Sequence, residues 1–200
     1  MYFFTADEHY SHTNICKYTD RPFESTKEMD SELIKKHNSV VSKGDIVIHA
    51  GDFTLINNPR VVHQKLISKL KGQHIFLKGS HDKWLTHNNY IFSKTIDKQH
   101  IVVCHYCMRI WHRSHYNSWH LYGHSHGKLE PIGKSLDIGV DNHNFYPWSL
   151  DEIINYMNLR PDNPNFIKPN FMKKPRKETN GNNNIMHYIT NTNIYSHFKQ

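Results

Sequence analysis

The chain has 200 residues, 37% hydrophobic and 12% aromatic, with a formal charge of +7 at neutral pH, which suits one soluble domain with its own core. It holds no run of about 18 or more apolar residues and opens without a basic segment leading into an apolar one, so neither a membrane span nor a signal peptide is expected, and a cytoplasmic setting is. Three cysteines are too few for a disulfide framework.

The opening Tyr2-Phe3-Phe4-Thr5-Ala6 reads as a buried strand that stops at Asp7-Glu8-His9. After Arg21-Pro22-Phe23, the S-x-x-E spacing of Ser25 and Glu28 starts a helix to about Val41, with Met29, Leu33, Ile34 and His37 on one face. Ile46 to Ala50 forms a second strand ending in Gly51-Asp52-Phe53. Asn58-Pro59 opens another helix, whose Val62, Leu66, Ile67 and Leu70 make a buried stripe up to Gly72. A third strand, His74 to Leu77, delivers Gly79-Ser80-His81-Asp82.

Shorter strands follow: Tyr90–Phe92, His100–Cys104 ending in His105, Leu121–Tyr122 ending in Gly123-His124-Ser125-His126, and Leu136–Val140. A last helix starts at the capping box Ser149-Leu150-Asp151-Glu152, with Leu150, Ile153, Ile154 and Met157 inward. Strand and helix alternate first and strands dominate later, which gives a sheet core flanked by helices. The domain is expected over 1–159, followed by a basic Asn/Pro-rich extension over 160–200. That extension carries seven Lys/Arg against two acids, so most of the net charge lies there. Such a stretch can attract a polyanion such as nucleic acid, although a solvated basic tail is the commoner reason for one. Cys104-His105-Tyr106-Cys107 has C-x-x-C spacing, but it follows a strand and lacks a second ligand pair, so the two thiols read as small apolar side chains.

Five strand ends carry side chains suited to a divalent cation, and ligands of an open α/β sheet gather at such ends. Their order, D-x-H at Asp7 and His9, G-D at Asp52, G-S-H-D at Ser80 to Asp82, a lone His105, and G-H-x-H at His124 and His126, resembles the calcineurin-like metallophosphoesterases. The flanking words around Asp7, Arg21-Pro22-Phe23 and Ser118 to Gly127 look like a small bacterial and phage branch of that superfamily. The resemblance runs to about Asp151. It implies an α/β fold, a four-layer αββα sandwich of two mixed β-sheets flanked by helices.

The resemblance also implies two divalent metal ions, Mn²⁺ foremost, with Fe, Zn, Ni or Mg as alternatives. Asp7, His9 and His126 would hold the first, His105 and His124 the second, and Asp52 both, because a carboxylate offers two oxygens to two cations. A hydroxide shared by the ions would attack phosphorus. His81 would protonate or stabilise the leaving oxygen and Asp82 would orient its imidazole. The family has Asn where this chain has Ser80, a shorter and weaker donor to the second ion. His12, Asn14, Arg109, Trp111 and Arg113 are candidate substrate contacts, with Tyr116 as an alternative stacking platform. The expected activity is hydrolysis of a phosphodiester or phosphomonoester, nucleotide-like in character. The competing class is a nucleotide- or nucleic-acid-binding module that has lost hydrolysis through Ser80.

Overall fold

The first sheet grows outward from the aromatic opening strand. β1 (Tyr2–Thr5) lies parallel to β2 (Ile46–His49), with Phe4 opposite Ile48, and β2 lies parallel to β3 (Gln73–Phe76). The two-residue strand β8 (Trp148–Ser149) pairs antiparallel on the free side of β1, giving the order β3-β2-β1-β8. The second sheet has the order β4-β5-β6-β7, with β4 (Ile91–Ile96) antiparallel to β5 (Gln99–Cys104), and β5, β6 (Trp119–Tyr122) and β7 (Ser135–Asp137) parallel. Asp97 and Lys98 join β4 to β5 with φ of 45° and 69°, the left-handed pair that a tight hairpin requires. This computed structural model describes residues 1–168.

One apolar core joins the sheets. Phe4, Ile48 and Ala50 of the first meet Ile101, Val103 and Leu121 of the second, and Leu150, Ile153 and Met157 of α4 (Leu150–Leu159) close its end. Each such buried side chain contributes about 1.5–3 kcal/mol. The far face of the first sheet is covered by α2 (Thr26–Val40) and α3 (Pro59–Lys65), through Met29, Leu33, Val62 and Leu66 against Phe53 and Phe76. The stripe read as one helix to Gly72 breaks at Leu66, whose φ of −122° ends α3, and Ile67–Lys69 continues as a 3-10 turn. The outer face of the second sheet presents His120 and Tyr122, with the Trp111 ring against His120. The result is the expected pair of mixed sheets flanked by helices.

The compact unit is Met1–Ile167. Residues 160–167 belong to it: the Asn163 amide is buried and donates to the carbonyls of Ser114 and Ser118 at 3.0 and 2.9 Å. The basic run from Lys173 onward lies outside the described residues. No helix among the described residues is long and apolar enough to cross a membrane.

Past their carboxyl ends the strands keep pairing, and this sets the site. The Ala50 N–H donates to Thr5, Asp7 to Gly51, Val140 to Ala6 and Gly123 to His105, all at 2.8–3.0 Å. The Val140 bond to Ala6 stitches the two sheets together, as do the His124 N–H to the Asp7 carboxylate and His105 Nδ1 to the Ala50 carbonyl, along the edge where Asp7, Asp52, Ser80, His105 and His124 emerge.

Candidate metal centre

The stitching depends on small residues. A Cβ on Gly51 would stand 2.7 Å from the Gly79 Cα and 2.8 Å from His105 Nδ1, and one on Gly123 would stand 2.6 Å from the Asp7 carboxylate. The turns pass in backbone contact, which draws the polar side chains inward. Asp7, His9, Asp52, His124 and His126 all have left-handed φ, between 46° and 68°. Such conformations are uncommon outside glycine and cluster where function holds them in place.

Three overlapping triads result: Asp7–His9–His126, His9–Asp52–His81 and Asp52–His105–His124, each with donor atoms within 4.8 Å of one another. His9 and Asp52 each belong to two of them, and Asp52 is the shared carboxylate. Its Oδ2 lies 3.3 Å from His105 Nε2 and 3.8 Å from both His9 Nε2 and His81 Nε2. Burial would raise the Asp52 carboxyl, but the His105 imidazole, 3.3 Å away, and the His81 backbone N–H outweigh it and hold the group below the usual carboxylate range. Asp7 goes the other way: burial, reinforced by the nearby Asp137 and Asp52 carboxylates, pushes it well up. Carboxylates crowded in this way call for a cation.

The unpaired atoms point to the same need. Asp7 Oδ1, His9 Nε2 and His105 Nε2 are buried and have no hydrogen-bond partner among the described residues, a costly state for polar atoms unless a ligand meets them. The opposite ring nitrogens are engaged. His105 Nδ1 donates to the Ala50 carbonyl at 3.1 Å and His126 Nδ1 to Asp141 at 2.7 Å, which turns each Nε2 lone pair inward in the manner of a metal-binding imidazole. Burial lowers His9 to about 3 and also lowers His124, so both rings are neutral donors at physiological pH. The donor set is mixed imidazole and carboxylate, suited to Mn, Fe, Zn or Ni.

The other expected site residues divide. Ser80 is in place, but its hydroxyl donates to Asp52, with Oδ2 at 3.0 Å and Oδ1 at 3.2 Å. His81 faces the cluster, with its side chain 44% exposed. His12 joins it, with Nδ1 3.4 Å from His9 Nδ1. Asp82 does not orient the His81 ring as expected; it is buried and accepts the N–H groups of Asp52, Phe53, Gly79 and Trp84 at 2.6–3.1 Å. Those four donors use both of its oxygens, so it clamps two of the site's turns together. Asn14 is exposed and its side chain does not cap the helix it precedes. Trp111 is buried on the outer face of the second sheet, with its indole donating to the Ser118 carbonyl at 3.1 Å. Arg109 is exposed, and Arg113 lies over Tyr116. None of Asn14, Arg109, Trp111 and Arg113 lines the cavity over the cluster.

Sequence reading missed Asp141, Arg21 and Tyr106. Arg21 grips Asp141 through two nitrogens and reaches the Asp7 and Glu8 carbonyls at 2.7 and 2.8 Å. The Arg21-Pro22-Phe23 word was its only signal. The Tyr106 ring lies 4.8 Å from both His105 and His124.

Fold and site together define an α/β two-sheet sandwich with a partly buried His/Asp cluster of metal-ligating type. The chain is 32% identical over 162 residues to the uncharacterized protein MJ1445 of Methanocaldococcus jannaschii, a match covering 74% of this chain and 86% of that protein, and it belongs to that protein's family. No family model matches. Among solved structures, the protein of unknown function AQ665 from Aquifex aeolicus shares the fold, with a TM-score of 0.59 and 20% identity over 78% of this chain and 98% of that one. A Streptococcus pneumoniae protein described as a predicted phosphoesterase matches with a TM-score of 0.37 and 13% identity over 69% of this chain and 70% of its own.

Proposed function

We propose that the protein is a metal-dependent phosphoesterase of calcineurin-like type, hydrolysing a phosphodiester or phosphomonoester. The observation that carries this is that Asp7 Oδ1, His9 Nε2 and His105 Nε2, buried and unpartnered, belong to three overlapping triads, two of which share the Asp52 carboxylate. Asp7, His9 and His126 would hold one divalent ion, His105 and His124 a second, and Asp52 both. Two bound ions, Mn²⁺ first among the candidates, supply a strongly nucleophilic oxygen from water at neutral pH and positive charge against the phosphate oxygens.

The chain's own groups do the rest. A water oxygen adds to phosphorus and gives up one proton to solvent, the bond to the leaving oxygen breaks, and a protonated His81 gives that oxygen a proton from the exposed side of the cluster and regains one from solvent. His12, beside both His9 and His81, adds a polar contact for the bound ester. Asp82 holds the Asp52 and Gly79 turns in register and so acts on position alone.

A second reading has support in one observation: where the family has Asn this chain has Ser80, whose hydroxyl, shorter and a weaker metal donor than a carboxamide oxygen, lies against Asp52 at 3.0 Å. On that reading the chain binds a nucleotide or nucleic acid with weakened or lost hydrolysis. The test is turnover of an aryl phosphodiester and an aryl phosphomonoester with Mn²⁺ by the natural chain and by Ser80→Asn. Turnover by the natural chain supports the enzyme, and turnover by Ser80→Asn alone supports the second reading. Turnover by neither, with metal shown to be bound, rejects the phosphoesterase.

A further inference from the structure

The cavity over the cluster, about 390 Å³, has two kinds of lining. Asp52, His81, His124 and His126 supply the chemistry. Ile15, Tyr18 and Thr19 come from the one-turn helix α1 (Ile15–Tyr18) and its cap, which the metal chemistry does not use, and Lys128 adds an ammonium group.

Tyr18 is 62% exposed, yet its position is set by the turn that carries it. Ile15 is buried beneath it, the Tyr18 N–H donates to the Asn14 carbonyl at 3.2 Å, and Thr19 donates to the Ile15 carbonyl through both its N–H and its hydroxyl, at 3.0 and 2.9 Å. The Tyr18 ring meets His12 edge-on, with centroids 6.1 Å apart and planes at 77°. His12 in turn lies 5.8 Å from His81. An open aromatic face therefore stands one imidazole away from the proposed proton donor. Lys128 lines the same cavity from the turn that carries His126, where its N–H donates to the Ser125 carbonyl at 2.9 Å.

We infer that the ester taken by this cavity carries a planar nucleobase-type ring, which stacks on Tyr18 while Lys128 balances phosphate charge. This rests on the phosphoesterase reading and names the substrate class within it, a nucleotide unit. The volume falls in the range of pockets that enclose a small molecule. An aromatic platform beside a cation is the combination that holds a base and its phosphate without reading sequence.

The experiment is calorimetric binding of adenosine monophosphate and of glycerol phosphate to the full chain with Mn²⁺, for the natural protein, Tyr18→Ala, Tyr18→Phe and Lys128→Ala. The natural protein binds adenosine monophosphate more tightly than glycerol phosphate. Tyr18→Ala reduces that preference by about tenfold, as expected for one lost stacking contact. Tyr18→Phe keeps the preference, and Lys128→Ala weakens both ligands together. A preference that survives Tyr18→Ala, or that is absent in the natural protein, overturns the inference while leaving the phosphoesterase standing. Binding of neither ligand by protein that has taken up Mn²⁺ overturns both.

Discussion

His126 donates its Nδ1–H to Asp141 at 2.7 Å, and Arg21 grips the same carboxylate from Nε at 2.7 Å and from a terminal nitrogen at 2.9 Å. Burial alone would raise the Asp141 carboxyl, but the hydrogen bonds from His126 and Arg21 outweigh it and bring the group down to about 2. The proton on Nδ1 leaves Nε2 as the lone pair facing Asp7 and His9. Partners of this kind are worth roughly 10- to 100-fold in metal affinity. Asp141→Asn is therefore expected to weaken Mn²⁺ binding by at least about tenfold while the circular dichroism spectrum is retained, as read by metal titration. Unchanged affinity would show that the pair serves only to hold the fold.

Asp82 is predicted to matter for stability more than for proton transfer. Asp82→Ala strands four N–H donors around the Asp52 and Gly79 turns, and each unsatisfied buried donor costs about 1–3 kcal/mol. A loss of at least about 3 kcal/mol is expected in urea unfolding. Near-natural stability combined with a shifted pH–rate profile would instead return Asp82 to the role of orienting His81.

Acid should loosen this fold well above the pH at which carboxylates titrate. Burial lowers His37 and His74 to about 4 and His49 to about 3, and it lowers His120 to about 4. His120 shows why: its Nε2 accepts the Met108 N–H at 2.9 Å while Nδ1 faces the Val102 carbonyl at 3.2 Å, leaving no place for a second proton. Each ring has a folded pKa below its unfolded value of about 6.5, so the unfolded chain binds protons first as the pH drops. Stability from these groups is complete above about pH 6.5 and is lost progressively toward pH 4. Glu8 opposes this, since burial raises it to about 7 beside His49 at 2.7 Å, and Asp7, Asp30 and Asp82, also raised by burial, act in the same sense, but these four carboxyls stand against eight imidazoles that burial lowers. Urea midpoints measured between pH 8 and pH 4 should fall through this window. A midpoint that stays level down to about pH 4.5 would refute the assignment of neutral buried rings.

Ser80→Asn is predicted to tighten binding of the weaker of two Mn²⁺ ions. The carboxamide oxygen reaches further than the hydroxyl and does not need to donate into Asp52, as Ser80 now does at 3.0 Å. Metal titration should resolve two sites closer in affinity than in the natural chain. A weaker second site in the variant would mean that Ser80 is already the better ligand.

Much of this was legible in the residues. The helix caps at Ser25, Asn58 and Ser149 accept backbone N–H groups in the positions their spacing implies. The strand ends were also legible, because apolar runs that stop at Asp, Gly or His mark the edge where a site forms. Partners far apart in the chain were not: Arg21 and Asp141 lie 120 residues apart, and no local pattern joins them. Trp111 among cations and imidazoles looked like a pocket residue, yet the sheet's outer face needed an aromatic cover and took it. α1 is too short for any periodicity, so Tyr18 emerged only with the cavity it lines.

The most direct test of the central claim is release of the aryl alcohol from an aryl phosphodiester at saturating Mn²⁺, natural chain against Asp52→Asn. Asparagine keeps an oxygen for the Ser80 hydroxyl and the His81 N–H but removes the charge that the two triads share. The account predicts turnover by the natural chain and a loss of at least about 100-fold in the variant. Equal turnover by both proteins would contradict it.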